Sequence, residues 1–384
     1  MKGHINHADR SHSVLSASGA ERWMNCTPSA RLSEKMPQQD SDYAKEGELA
    51  HEVAEITLLH RVGHRNDSDL SARMKVLRKS AHWYDGITED VLPYVDFIHE
   101  QINSDKDSAL HVEVKVDLSA FIEQGRGTCD SAVIAKDTLY ITDLKFGRGV
   151  RVSAVDNSQL KLYAVGALQE FGMLYDITTV VLSIVQPRLD AVSTWAITVD
   201  DLLDWAENTV KPVAEIAFNG EGDHAPGDWC RFCRAKVICP ALKAEALSAA
   251  ELDFSADDVD KDSEDDLLQV YAVADRITDY LETVKAFVYQ RALEGKRWPG
   301  LKLVAGKSSR RIADEWIALT LLIDEGYDRD QLINVKLKGI GELEKLLGDD
   351  FELLNGCIDK PTGKPTLVDE SDKRQEINKA EDFN

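Results

Sequence analysis

The sequence predicts an α/β fold, a small mixed central sheet flanked by helices, followed by a mainly helical C-terminal region. Three observations carry that reading. Short β-rich runs cluster between His111 and Val199, and segments of helical spacing bracket them and separate the third run from the fourth. The chain has 384 residues with 43% hydrophobic content, enough to bury a core in about two or three units.

Ala44 to Arg61 places Leu49, Val53, Ile56 and Leu59 at helical spacing, with Glu46, Glu48, Glu52 and Glu55 largely on other faces, so it is a helix that carries His51. Arg61 to Ser80 then turns basic, with Arg61, Arg65, Arg73, Lys75, Arg78 and Lys79 against Asp67 and Asp69, the composition of a solvated helix face. His111 to Leu118 alternates, Asp130 to Ala135 runs into the turn-like Lys136 and Asp137, and Thr138 to Lys145 is a further strand, together a meander. A helix follows over Asp156 to Phe171, then strands over Ile177 to Val185 and Val192 to Val199, then a helix over Asp200 to Phe218.

Composition changes after Cys239. Nine carboxylates and one lysine between Glu251 and Gln269 mark a linker. The chain is therefore divided into a first domain over residues 14–242, an acidic linker over 243–262 and a helical accessory region over 263–384. Ser263 with Asp266 resembles a capping box, and Leu267, Tyr271, Ala274, Ile277, Leu281, Val284 and Val288 form a near-heptad packing stripe on a long helix that Gly295 and Pro299 end. Lys296 to Arg311 holds six basic residues and no acidic one.

The 45 Lys and Arg against 68 Asp and Glu leave a net charge of −23, which excludes a uniformly basic nucleic-acid coat. The longest apolar run, near Ile177 to Val185, is far short of the ~20 residues of a spanning helix, so no membrane association is expected. Met1 to Ser13 is polar and His-rich with no apolar core, so a cytoplasmic, reducing setting is expected. Gly300 to Ser308 superficially resembles a phosphate-binding loop, but five residues separate Gly300 from Gly306 where four are required, so no ATP use is expected.

Asp130 and Asp143 fall on what read as adjacent strands, and alternation along a strand puts Lys145 on the same face as Asp143. Mg²⁺ favours one or two carboxylates plus water and substrate phosphate oxygens, which two such aspartates would supply. A neighbouring lysine could then orient or deprotonate the nucleophile. Gln159 and Tyr163 lie one turn apart on one helix face.

Taken in order, His51, Gly127 to Asp130, Asp143-Leu144-Lys145 and Gln159-xxx-Tyr163 resemble the motifs of the RecB-type nucleases of the PD-(D/E)xK superfamily. The resemblance covers about residues 14–242. It implies a restriction-endonuclease-like core in which His51, Asp130 and Asp143 ligate Mg²⁺ or Mn²⁺ with help from the main-chain carbonyl of Leu144. It also implies that Lys145 is the catalytic lysine, while Gln159 and Tyr163 contact DNA and brace the site. Glu113 on the first strand is left as at most a supporting group.

Cys230-xx-Cys233-xxxxx-Cys239 supplies three thiolates and needs a fourth ligand, for which His224 is local and Cys26 distant. One cysteine ahead of the histidine motif and this triplet after the last core element are similar to RecB-type nucleases with an AddB-like iron–sulfur staple and to the stand-alone nucleases of CRISPR adaptation. That similarity implies a [4Fe-4S] cluster on Cys26, Cys230, Cys233 and Cys239 in a structural role, with Zn²⁺ as the alternative. Cys129 and Cys357 stand outside the pattern as small buried residues.

The ending Gly363 to Arg374 is similar to a phage-borne branch of such nucleases found in replication and recombination modules. It implies an exonuclease that resects linear double-stranded DNA ends in the host cytoplasm so that a phage single-strand annealing or binding protein can load. The expected function is therefore a metal-dependent deoxyribonuclease, with a non-catalytic iron–sulfur subunit for DNA-end binding or complex assembly as the alternative. Arg61 to Lys79, Arg148 with Arg151, and Lys296 to Arg311 would line its DNA groove.

Overall fold

The computed structural model describes residues 13–36, 42–250, 261–301 and 315–324 continuously, with isolated positions 326, 329, 341, 344, 346 and 348. Residues 1–12, the acidic stretch 251–260, the basic residues Lys302 to Arg311, Cys357 and the ending Gly363 to Arg374 lie outside the described residues. The described elements are α1 (Ala20–Asn25), α2 (Ser29–Glu34), α3 (Asp42–Arg61), α4 (Asp67–Leu77), α5 (Ile87–Asn103), β1 (Ala109–Asp117), β2 (Arg126–Ala135), β3 (Thr138–Leu144), α6 (Ser158–Phe171), β4 (Thr179–Gln186), β5 (Ala191–Thr198), α7 (Val199–Trp205), α8 (Lys211–Asn219), α9 (Pro240–Ala250), α10 (Lys261–Leu293) and α11 (Glu315–Asp324). The chain divides into two units, Met1–Leu303 and Val304–Asn384, and α11 belongs to the second.

The sheet of the first unit is mixed, in the spatial order β1-β2-β3-β4-β5. β1, β2 and β3 form the expected antiparallel meander. Lys136 makes the tight turn between β2 and β3 at φ 55°. β3 and β4 pair in parallel, Asp143 opposite Ile184 and Leu144 opposite Val185, which requires a crossover, and α6 is that crossover. β5 closes the other edge antiparallel to β4, and its burial alternates residue by residue, as an edge strand with one wet face should.

Each face of the sheet has its own apolar core. One packs α6, α1, α7 and α8 through Trp23, Leu160, Leu162, Val165 and Leu202 against Ile134, Ile141 and Leu182. The other packs α3, α4 and α5 through Val53, Leu58, Val91, Val95 and Ile98 against Val133, Leu144 and Val185. α6 lies close on β1, because a Cβ on Gly166 would stand 2.4 Å from Val116 Cβ. Glycine is the residue that permits that distance.

The sequence reading assigned no element to α5, although Ile87, Val91, Tyr94, Val95 and Ile98 repeat at helical spacing. Pro93 sits inside that helix and disguises it. The helix expected over Asp200 to Phe218 is interrupted by a π-turn at Ala206–Val210 just before Pro212, whose missing N–H cannot join a regular ladder. The near-heptad stripe on α10 packs in part. Tyr271 and Leu281 are exposed, Ala274, Ile277, Val284 and Val288 are half-buried, and Tyr280, outside the stripe, is buried with Val284 against Leu242 and the cysteine segment. Among the described residues α10 packs there on α9 and the turns that carry the cysteines. It also begins at Lys261, ahead of the expected cap at Ser263. Among the described residues no helix is long and apolar enough to cross a membrane.

Candidate metal centre

The residues singled out for chemistry converge at the end of the sheet where β3 and β4 terminate and β2 begins. His51 reaches in from α3, anchored by Leu49, Ala50, Val53 and Ala54 in the core beneath it. Its Nδ1 lies 3.2 Å from Asp130 Oδ1 on β2. Asp130 Oδ2 accepts the main-chain N–H of Leu144 at 2.8 Å, which fixes the carboxylate against β3.

Glu113 on β1, read from the sequence as at most a supporting group, completes a set with His51 and Asp130. One ligand atom from each of His51, Glu113 and Asp130 lies within 4.8 Å of the others, the span a single cation could bridge. Glu113 has φ 50° within a strand, between the paired residues Val112 and Val114. A left-handed, non-glycine residue costs on the order of 1–3 kcal/mol and survives where its surroundings over-determine it, characteristically at ligand sites. No periodicity marks that backbone conformation, so the sequence assigns Glu113 no more than a supporting role.

Asp143 and Lys145 lie beside that set. Lys145 Nζ sits 3.0 Å from Asp143 Oδ2 and donates to Gln159 Oε1 at 3.0 Å. Gln159 Nε2 donates to Asp143 Oδ1 at 3.1 Å and to the Tyr163 hydroxyl at 3.0 Å. Asp143 Oδ2 is buried and its partner is the Lys145 ammonium. Gly127 has a defined part. A Cβ there would stand 3.0 Å from Tyr163 Cε1, so glycine lets the tyrosine ring reach the site.

The electrostatics separate the two aspartates. Burial penalises the charge on both, but the adjacent His51 holds Asp130 below the ordinary carboxylate range, whereas burial and the neighbouring Asp130 push Asp143 up. Lys145 is raised, because the Asp143 carboxylate outweighs the burial that opposes its charge. In the metal-free protein Lys145 is thus an ammonium, a donor and a charge, and not a base. For His51, burial disfavours the imidazolium but Asp130, Asp143 and Glu113 overcome it and push the pKa up to about 9.

A folded-state value above the unfolded one gives stabilisation that is complete below about pH 6.5 and lost as pH rises through about 9. A cation must displace that proton. Apparent Mn²⁺ affinity is therefore expected to rise by up to about tenfold per pH unit from pH 6.5 to 8.5. Titration followed by electron paramagnetic resonance reads this directly, and a flat profile would remove His51 from the ligand set.

One imidazole with two carboxylates is a donor set for a divalent cation, and the nitrogen favours Mn²⁺ over Mg²⁺. The strained Glu113 backbone fits a centre completed by a positive group.

A second constellation lies under α1. Cys26, Cys230, Cys233 and Cys239 line one cavity with His224, Arg22 and Trp229. Cys26, Cys230 and Cys233 are buried, and burial pushes the Cys26 and Cys230 thiols up. His224 Nδ1 is buried without a partner. Among the described residues no three of the sulfurs come within 4.8 Å of one another. Cys129 is in the main core, its thiol donating to Ser131 O, and takes no part. Two residues of the expected basic groove are neutralised locally, Arg61 by Asp96 and Arg73 by Glu52.

A family model described as "Protein of unknown function (DUF2800)" matches residues 12–375. Among solved structures, one titled "Crystal structure of SSO0001" is 16% identical, covering 56% of this chain and 95% of that one, with a TM-score of 0.25.

Proposed function

The chain belongs to the DUF2800 family, and we propose that this member is a Mg²⁺- or Mn²⁺-dependent deoxyribonuclease of RecB-like type. The observation that carries the reading is the convergence of His51, Glu113 and Asp130 beside the Asp143–Lys145–Gln159 network at one end of the sheet. Two groups of opposite character, a cation-binding carboxylate set and a fixed ammonium, are what phosphodiester hydrolysis needs within one pocket.

A divalent cation held by His51, Glu113 and Asp130 would supply Lewis-acid stabilisation of the charge that develops on the phosphate. The protein's own groups do the rest. Lys145, kept charged by Asp143, donates to the attacking water or a phosphate oxygen and places it in line. Gln159 holds Lys145 and Asp143 in register through both ends of its amide, and Tyr163 fixes Gln159.

The cysteine cavity is read as the seat of a [4Fe-4S] cluster on Cys26, Cys230, Cys233 and Cys239. Support comes from Cys26, Cys230, Cys233 and Cys239 lining one cavity, a four-thiolate donor set of the kind such clusters use. Zn²⁺ with His224 as fourth ligand is the competing assignment, and iron and zinc analysis of purified protein separates them. Either group would clip the start of the domain to its end.

The substrate is proposed to be linear double-stranded DNA, resected from its ends for a single-strand annealing or binding protein. The test is digestion of end-labelled linear and closed circular duplex by anaerobically purified protein with Mg²⁺ or Mn²⁺. Loss of linear DNA alone is the expected result. No cleavage with either metal, by folded protein with its cofactor in place, would replace the enzyme by a DNA-end-binding or assembly subunit.

A further inference from the structure

His51 and the Asp143–Lys145 pair belong to different packing layers. One hangs from a helix in the α3–α5 core, and the other emerges from β3 toward α6. Their separation depends on how α3 sits against the exit of β3. One side chain ties those segments directly. Arg188 lies in the single 3₁₀ turn Pro187–Leu189 after β4, with its side chain 8% exposed.

Its Nη2 donates to Glu46 Oε1 at 2.6 Å and to the Tyr84 hydroxyl at 2.8 Å. Its guanidinium carbon stands 4.0 Å from the centre of the Phe146 ring and 5.2 Å from that of Tyr84. Tyr84 in turn donates to Asp90, and Arg188 Nε is 3.7 Å from the same carboxylate. Glu46 is on α3, five positions before His51, and Phe146 follows Lys145 directly. Tyr84 lies in the loop just before α5, and Asp90 is in the first turn of α5.

Burying a guanidinium is costly, and apolar packing of similar volume would stabilise the fold at least as well. Here Arg188 Nε is also left buried without a hydrogen bond. A side chain kept at that cost is better explained by the position it enforces. Both hydrogen bonds come from Nη2 while the guanidinium lies over the Phe146 ring, and arginine alone joins such a stacking plane to a permanent charge.

We propose that Arg188 is a positioning residue that sets the spacing between the His51 half and the Asp143–Lys145 half of the metal centre. The proposal rests on the cation site of the nuclease reading and adds a residue that touches none of the ligands.

The experiment is Mn²⁺ titration by electron paramagnetic resonance on the full chain, comparing wild type with Arg188→Lys, Arg188→Met and Glu46→Gln. Unfolding temperatures are measured without metal. Partners that orient metal ligands are typically worth 10–100-fold in affinity. Arg188→Lys keeps the charge but loses the stacking plane. It is expected to weaken Mn²⁺ by about 10–100-fold and alter the bound-ion spectrum, while its metal-free unfolding temperature stays within a few degrees of wild type. Glu46→Gln, which keeps the packing, is expected to weaken it less. Should Arg188→Met fail to fold, the lysine and Glu46 variants still decide. Unchanged Mn²⁺ affinity and spectrum in Arg188→Lys and Glu46→Gln would overturn the positioning role with the cation site intact. Failure of wild type to bind Mn²⁺ would overturn the cation site itself.

Discussion

Asp143→Asn is expected to lower DNA cleavage by about 10³-fold or more, with the protein still folded. The substitution preserves shape and hydrogen bonding to Gln159 while removing one charge from the centre. Asp143 is 3% exposed and ion-paired to Lys145. Two effects on stability oppose one another. A buried acid with a raised folded-state pKa costs stability once ionised, so the neutral amide relieves that cost, yet Lys145 loses the carboxylate that keeps it charged. The unfolding temperature is accordingly expected to move by only a few degrees.

Lys145→Met should be as inactive, since it removes the donor and leaves Asp143 buried without a counter-charge. The check is single-turnover digestion of end-labelled linear duplex beside thermal unfolding of each variant. Activity within tenfold of wild type in Asp143→Asn would show that Asp143 is structural.

How much of this was legible in the sequence depends on what kind of signal each residue leaves. Strand and helix order from His111 to Phe218 followed from side-chain alternation and helical spacing, because those periodicities report burial directly. Asp143 and Lys145 were placed on one face by the same rule, and Gln159 and Tyr163 by one helical turn; the structure joins all four in one network. Glu113 entered only as a supporting group, and Arg188 was not found. Each is one charged residue in ordinary surroundings along the chain, and its partners lie on other segments: His51 and Asp130 for the first, Glu46, Tyr84, Asp90 and Phe146 for the second. A pattern read along one dimension does not report such meetings. α5 left a legible signal that Pro93 masked.

Cys233→Ala is expected to have the largest effect on stability. Cys26 ends α1 and Cys230 begins the triplet, so a shared cofactor would close a loop of roughly two hundred residues. By the loop-closure relation used for covalent cross-links, such a clip is worth on the order of 5 kcal/mol. That is a large part of the stability of a typical domain. The small apolar patch of Cys230, Leu242 and Tyr280 at the cavity is too limited to replace it. Loss of one thiolate is therefore expected to release bound iron and its visible absorbance and to lower the unfolding temperature by more than about 10 °C. Cleavage would be lost as a consequence of unfolding. Cys129→Ala is the matched control, since its thiol is buried in the main core and away from the cavity, and it is expected to keep the chromophore at the cost of about 1 kcal/mol. The two variants are compared by metal and sulfide analysis and by thermal unfolding under anaerobic conditions. Wild-type stability and wild-type cleavage in Cys233→Ala would show that the four cysteines hold nothing on which the fold depends.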